Sequence, residues 1–140
     1  MVMAFLLDTN VLSELRKGLK ADAKVRQWAE TIRGQRHFVS VISLGEIRKG
    51  IERLKPKDPA QAEILERWLD TLKHDFRNNV LPFTDDVADC WGRLSARAPL
   101  AITDSQIAAT ALMHGLTVAT RNVADFIPCG VPVVNPFEVE

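Results

Sequence analysis

AFLLDTNVLSEL (residues 4–15) runs four apolar residues straight into a carboxylate, Asp8. A polar pair, Thr9 and Asn10, follows, and apolar residues return at Val11, Leu12 and Leu15. The opening residues predict a buried strand, and Val11 to Leu15 the start of a short helix. A carboxylate against apolar surface is costly unless it is hydrogen-bonded, paired or bound to a cation. The remainder of the chain has to supply that compensation.

The same alternation continues outward from this stretch. Residues 22–33 place Val25, Trp28, Ala29 and Ile32 on one helix face. HFVSVIS (37–43) is β-branched and apolar and predicts a second strand. EIRKGIERLK (46–55) is helical, and KPKDP (55–59) breaks it, with Asp58 as cap and Pro59 at the first position of the next helix. Ile64, Leu65, Trp68, Leu69, Leu72 and Phe76 then form an apolar stripe. Val80–Phe83 reads as a strand, Asp85–Arg97 as a helix, and 104–114 as another helix closed by Gly115. TVAT (117–120) and VPVV (131–134) read as the last strands. Strands alternating with helices predict an α/β fold, with a mainly parallel central sheet flanked by helices. The length, 140 residues, suits one domain spanning 1–140.

Composition narrows the function. No run of about 18 apolar residues is present to span a membrane, and residues 4–7 are too short for a signal peptide. Cys90 and Cys129 fall in no metal-ligand spacing, so both are expected as reduced thiols in a cytoplasmic protein. His37, His74 and His114 are scattered. Net charge is zero but poorly mixed. Residues 16–57 hold 12 of the 18 Lys and Arg against four acids, whereas 58–140 hold six bases and 12 acids. A basic face of that kind can meet phosphate.

In open parallel sheets, sites form beyond the carboxyl ends of the strands. Asp8, Glu46 and Asp104 all fall there, with Asn122 and Asp125 following TVAT. Local explanations compete. SLGE (43–46) reads as a capping box, with Ser43 as cap and Glu46 reaching back, and TDSQ (103–106) reads as another, capped by Thr103. Converging carboxylates, however, repel. At about 4 Å and an effective dielectric near 20, a pair costs on the order of 4 kcal/mol. With no His or Cys cluster nearby, a hard divalent ion with oxygen ligands, Mg²⁺ or Mn²⁺, is the natural neutraliser. Metal plus a basic face points to phosphodiester hydrolysis. Neither GxGxxG nor a Walker A loop is present to cradle a nucleotide. An aspartyl-phosphatase reading lacks its second acid, because that position is Asn10.

LLDTNVLSEL (6–15), SVISLGEIRKGIERL (40–54), ITDSQIAATALMHGLTVATRNVADF (102–126) and VNPF (134–137), in this order, resemble the PIN-domain ribonucleases. The resemblance is greatest to the VapC and FitB toxins of bacterial toxin–antitoxin pairs. It implies a PIN fold and Mg²⁺-dependent endoribonuclease activity, in which metal-activated water attacks an RNA phosphodiester and leaves a 5′-phosphate and a 3′-hydroxyl. Asp8, Glu46 and Asp104 match the acidic metal-binding and catalytic positions, with Glu46 bound directly or through water. Thr9, Asn10 and Thr120 match polar positions that orient those acids. The family often carries a further acid where this chain has Asn122, with Asp125 three residues later. One well-occupied Mg²⁺ site is therefore expected. The resemblance also implies a VapB/FitA-like antitoxin whose tail covers the active site, contact with operator DNA only through that antitoxin, and a homodimer or toxin–antitoxin hetero-oligomer. A second reading keeps the fold and reduces the acids to helix caps, leaving a weak or inactive enzyme that serves as a protein or nucleic-acid binding module.

Overall fold

The computed structural model describes residues 3–139. The strands are β1 (Ala4–Leu7), β2 (Arg36–Ser40), β3 (Val80–Leu81), β4 (Thr117–Ala119) and β5 (Val133–Val134). The helices are α1 (Thr9–Leu15), α2 (Ala23–Thr31), α3 (Val41–Leu54), α4 (Pro59–Asp75), α5 (Asp85–Arg97), α6 (Ile102–His114) and α7 (Val123–Phe126). The strands form one sheet in the order β3-β2-β1-β4-β5, and every neighbouring pair is parallel. β1, the strand that leads into Asp8, is therefore central.

Two cores follow from the period-two alternation of the strands. Phe5 and Leu7 of β1, Val39 of β2 and Ala119 of β4 face one side. They pack there against Val11, Leu12, Trp28, Ile47, Ile51 and Leu69, from α1 to α4. Leu6, Phe38 and Val118 face the other side, against Ile107, Ala108 and Ala111 of α6 and Phe126 of α7. With both faces covered, β1 is almost wholly apolar, as buried parallel strands are. The Trp28 ring meets Phe5 edge-on, 5.4 Å between centroids.

Several local expectations hold. Asp58 accepts from the Gln61 amide at 3.1 Å and Pro59 opens α4. Gly115 closes α6 with φ of 66°, a left-handed cap that favours glycine. Within the α4 stripe, Leu69 and Leu72 are buried, Leu65, Trp68 and Phe76 are half-buried, and Ile64 is exposed. An apolar groove of about 330 Å³, lined by Leu12, Leu15, Trp28, Trp68, Leu72 and Phe76 among others, opens between α1, α2 and α4. Among the described residues no helix is long and apolar enough to cross a membrane.

Two expectations fail at helix starts. The strand 37–43 ends at Ser40, and Val41, Ile42 and Ser43 already belong to α3. Ser40 is both last strand residue and helix cap, its hydroxyl accepting from the Ile42 amide at 3.0 Å. Once that cap is made, β-branched propensity yields to helix. Ser43 is consequently not a cap but a buried residue inside α3, and Glu46 is not the third residue of a capping box. Likewise α6 begins at Ile102 after Ala101, whose side chain caps nothing. The TDSQ box does not form.

Candidate active site

Asp8 leaves the end of β1 and caps α1, accepting from the Thr9 amide at 2.8 Å. It is only 3% exposed. Two further donors reach the same carboxylate at Oδ2: the Thr120 hydroxyl at 2.7 Å and the Asn10 amide at 3.2 Å. The Thr120 hydroxyl in turn accepts from the Asn122 backbone amide at 2.9 Å. Asn10 Oδ1 accepts from the Arg121 backbone amide at 3.0 Å. The loop after β4 is thus tied to the end of β1 through two side chains, Asn10 and Thr120. The parallel pairing of Leu7 with Ala119 sets that register.

Glu46 comes from the second turn of α3. Its Oε1 accepts the Thr9 hydroxyl at 2.7 Å. Asp104 comes from the first turn of α6, on the far side of the sheet. Three elements therefore bring three acids to the carboxyl edge of β1. Asp125, exposed on α7, adds its charge beside Asp104. Asn122 is exposed at the start of α7, and its part in the network is its backbone amide rather than its side chain.

The electrostatics are those of an uncompensated acid cluster. Burial raises Asp8 above the ordinary carboxylate range, opposed by the donors from Thr120, Thr9 and Asn10. Glu46 is raised by burial and by the charge of Asp8. Asp104 is pushed up to about 7, by burial first and then by Asp8 and Asp125, with a smaller effect of Glu46. None of these acids belongs to an ion pair among the described residues.

The donor set is oxygen alone, which suits a hard divalent cation. Among the described residues, no three His, Cys, Asp or Glu side chains are drawn together into a ready-made cage. An ion that takes one or two carboxylates directly and keeps several waters fits an open set of this kind, and Mg²⁺ behaves so.

Two groups in the neighbourhood escaped sequence reasoning. Trp91 of α5 donates its indole N–H to Ser105 Oγ at 2.9 Å, and that hydroxyl donates to the Ile102 carbonyl at 2.8 Å. This relay fixes the first turn of α6, which carries Asp104 and lacks a side-chain cap. Arg121 lies over the Phe137 ring, 3.7 Å from its centroid. The first has no local sequence signal, since Trp91 and Ser105 read as ordinary helix residues. The second is adjacent to Asn122 and was legible only as one more base.

Residues 5–126 match the family model of the PIN domain. The chain is 36% identical over 138 residues to the plasmid stability protein StbB of Pseudomonas syringae pv. tomato, covering 95% of this chain and 98% of that one. It is 32% identical to the VapC ribonuclease Y4jK of Sinorhizobium fredii, covering 94% and 96%. Among solved structures it superposes on a chain of FitAB bound to the IR36 DNA fragment with a TM-score of 0.84, at 30% identity, covering 97% of each chain. The parallel sheet, the acids at its carboxyl edge and these matches together make the chain a member of the PIN-domain family, in the company of the VapC and FitB toxins.

Proposed function

We propose that this chain, acting over residues 1–140 as a single PIN domain, is a divalent-metal-dependent endoribonuclease and the toxin of a toxin–antitoxin pair. The observation that carries the reading is that Asp8, Glu46 and Asp104, from three elements, lie near enough for their charges to act on one another, with no cation among the described residues paired to them. Carboxylates that only capped helices would not need to meet, and two of the three cap nothing.

Bound among these acids, Mg²⁺ or Mn²⁺ supplies a Lewis acid that lowers the pKa of water and offsets charge on a phosphate in flight. The residues of the chain prepare that chemistry. Asp8 is held in one rotamer by its three donors and is the fixed ligand. Asp104 approaches from α6 as the second. Thr9 holds Oε1 of Glu46 and leaves Oε2 to orient water and accept its proton. Thr120 and Asn10 orient Asp8, and Asp125 adds to the negative field that attracts the ion.

The FitAB complex bound to DNA supports a small antitoxin as partner, with operator DNA contacted through it. The apolar groove gives that partner a seat. It shares Arg16 and Trp68 with a second groove of about 300 Å³ that ends on Thr9 and Glu46. A partner segment seated on Trp28, Trp68 and Phe76 can therefore continue to the acids and silence them. Action in the cytoplasm, as a homodimer or a hetero-oligomer with the antitoxin, belongs to the same proposal. The test is incubation of purified protein with RNA. Cleavage is expected with Mg²⁺, abolished by chelator, and restored by Mg²⁺ or Mn²⁺. Cleavage indifferent to chelator contradicts the reading.

A further inference from the structure

We propose that the RNA strand crosses the carboxyl edge of the sheet along a track of three cations: Lys49 and Arg53 on one side of the acids and Arg121 on the other. The inference rests on the ribonuclease reading above and adds the path of the substrate to it.

The first observation is which bases are left over. Among the described residues the ion pairs occupy Lys17, Arg33, Arg48, Lys55, Arg67 and Arg93. Twelve of the 18 Lys and Arg are in none of them, and Lys49, Arg53 and Arg121 are the three of these carried by α3 and by the loop after β4. Lys49 is close enough for its charge to act on Glu46.

The second observation is a groove of about 400 Å³ with a polar lining, which includes Gly45, Glu46, Lys49, Gly50, Arg53 and Thr103. It begins at Glu46, one of the three acids, with Thr103 of the first turn of α6 across from it. It continues along α3 past Lys49 to Arg53. Residues four apart on a helix are neighbours, so the two cations form a short row leading away from the site.

The glycines sharpen this. Gly45 and Gly50 lie inside α3, where each is less favourable than Ala by about 1 kcal/mol. A methyl added at either would meet nothing within 4 Å, so packing within the chain does not require them. Both line the groove and leave the helix face bare beside its cations, which lets a bulky backbone approach closely.

Arg121 provides the other end. It follows β4, whereas α3 follows β2, and β1 lies between those strands. The elements that carry these cations therefore lie on opposite sides of β1 along the sheet edge, and the Arg121 charge acts on Glu14, at the end of α1. The Arg121 backbone amide is fixed to Asn10, and its guanidinium lies against Phe137. A guanidinium stacked on a ring keeps its in-plane N–H donors for a phosphate. Acids and phosphates repel, so a strand that delivers one phosphate to the cluster needs cations for the phosphates before and after it.

The experiment measures binding of a fluorescein-labelled, mixed-sequence single-stranded RNA of about a dozen nucleotides, by anisotropy across a salt series. All proteins carry Asp104→Asn to prevent turnover. For single strands the log–log salt slope falls by about 0.7 for each phosphate that is no longer neutralised. Lys49→Ala/Arg53→Ala is expected to weaken binding and reduce the slope by about 1.4, and Arg121→Ala by about 0.7. Lys24→Ala, on the exposed face of α2, is expected to leave the slope unchanged. Melting curves establish that these surface variants fold. Slopes unchanged in the track variants, or reduced no more than by Lys24→Ala, overturn the track. So does an intact slope accompanied by altered sedimentation of the free protein, which makes the face a subunit contact. Cleavage of the same RNA by the wild-type chain separates the two failures. If it cleaves while the slopes stay intact, only the track falls. If it neither binds nor cleaves, the ribonuclease reading falls as well.

Discussion

The hydroxyl of Thr120 donates to Oδ2 of Asp8 across 2.7 Å, joining residues 112 positions apart in the chain. Both are buried, and the same hydroxyl accepts from the Asn122 amide. One side chain thereby closes the β4 loop onto the end of β1 and aims the carboxylate. Thr120→Val keeps the shape and removes both bonds, together with the longer one the hydroxyl accepts from the Asn10 side-chain amide at 3.4 Å. Leaving a buried carboxylate short of a donor costs about 1–3 kcal/mol. Urea unfolding is expected to show a loss of that size, and Thr120→Ser to recover most of it. A neutral Thr120→Val denies the hydroxyl its role.

Stability of the metal-free protein is expected to fall as pH rises. Asp104 is raised from its ordinary 3.8 to about 7, so the folded protein holds this proton while the unfolded chain releases it. Where the folded state binds more protons, stability declines with pH. The decline runs from about 4 to about 7 and levels off above, and Asp8 and Glu46, also raised, act in the same sense. Mg²⁺ reverses it, because an ion that binds only the folded protein stabilises it more once the acids are ionised. Melting temperatures measured from about pH 5 to about pH 8, with chelator and with Mg²⁺, check both trends.

Trp91→Phe is expected to loosen the turn that carries Asp104. The substitution keeps an aromatic ring where Trp91 meets Phe83 edge-on, and deletes the N–H donated to Ser105. A hydrogen bond of this kind contributes about 0.5–1.5 kcal/mol. Ser105 still donates to the Ile102 carbonyl, so the fold survives. Hydrogen exchange is expected to quicken at the first turn of α6 and to stay unchanged in β1.

Calorimetric titration of the free protein with Mg²⁺ is expected to show one well-occupied site. Asn122 supplies no charge, and Asp125, though beside Asp104, is exposed on α7. Two tight and equal sites contradict the account.

Much of this was legible in the residues. The alternation of strands with helices implied a parallel sheet flanked by helices, and Asp8 at the end of a buried strand marked the candidate site. Helix starts were less legible. Val41–Ile42 looks like strand, and only the Ser40 cap, a tertiary matter of where β2 stops pairing, turns it into helix. SLGE and TDSQ satisfy the capping-box pattern, yet the caps sit at Ser40 rather than Ser43 and at Ala101 rather than Thr103. That shift frees Glu46 and Asp104 from local duty. The Trp91–Ser105 relay and the seat of Arg121 on Phe137 depend on packing between distant segments, which no spacing rule expresses.

The central claim is that Asp8, Glu46 and Asp104 form a shared cation site for cutting RNA. RNA cleavage by purified Asp104→Asn in Mg²⁺, beside the wild-type chain, tests it most directly. The substitution removes one charge from the cluster and leaves the size of the side chain unchanged. The account predicts a folded protein, at least as stable as the wild type without metal, that cleaves RNA at no more than about a hundredth of the wild-type rate, as loss of a group central to the chemistry implies. Cleavage at the wild-type rate by Asp104→Asn, in a preparation free of contaminating nuclease, contradicts it.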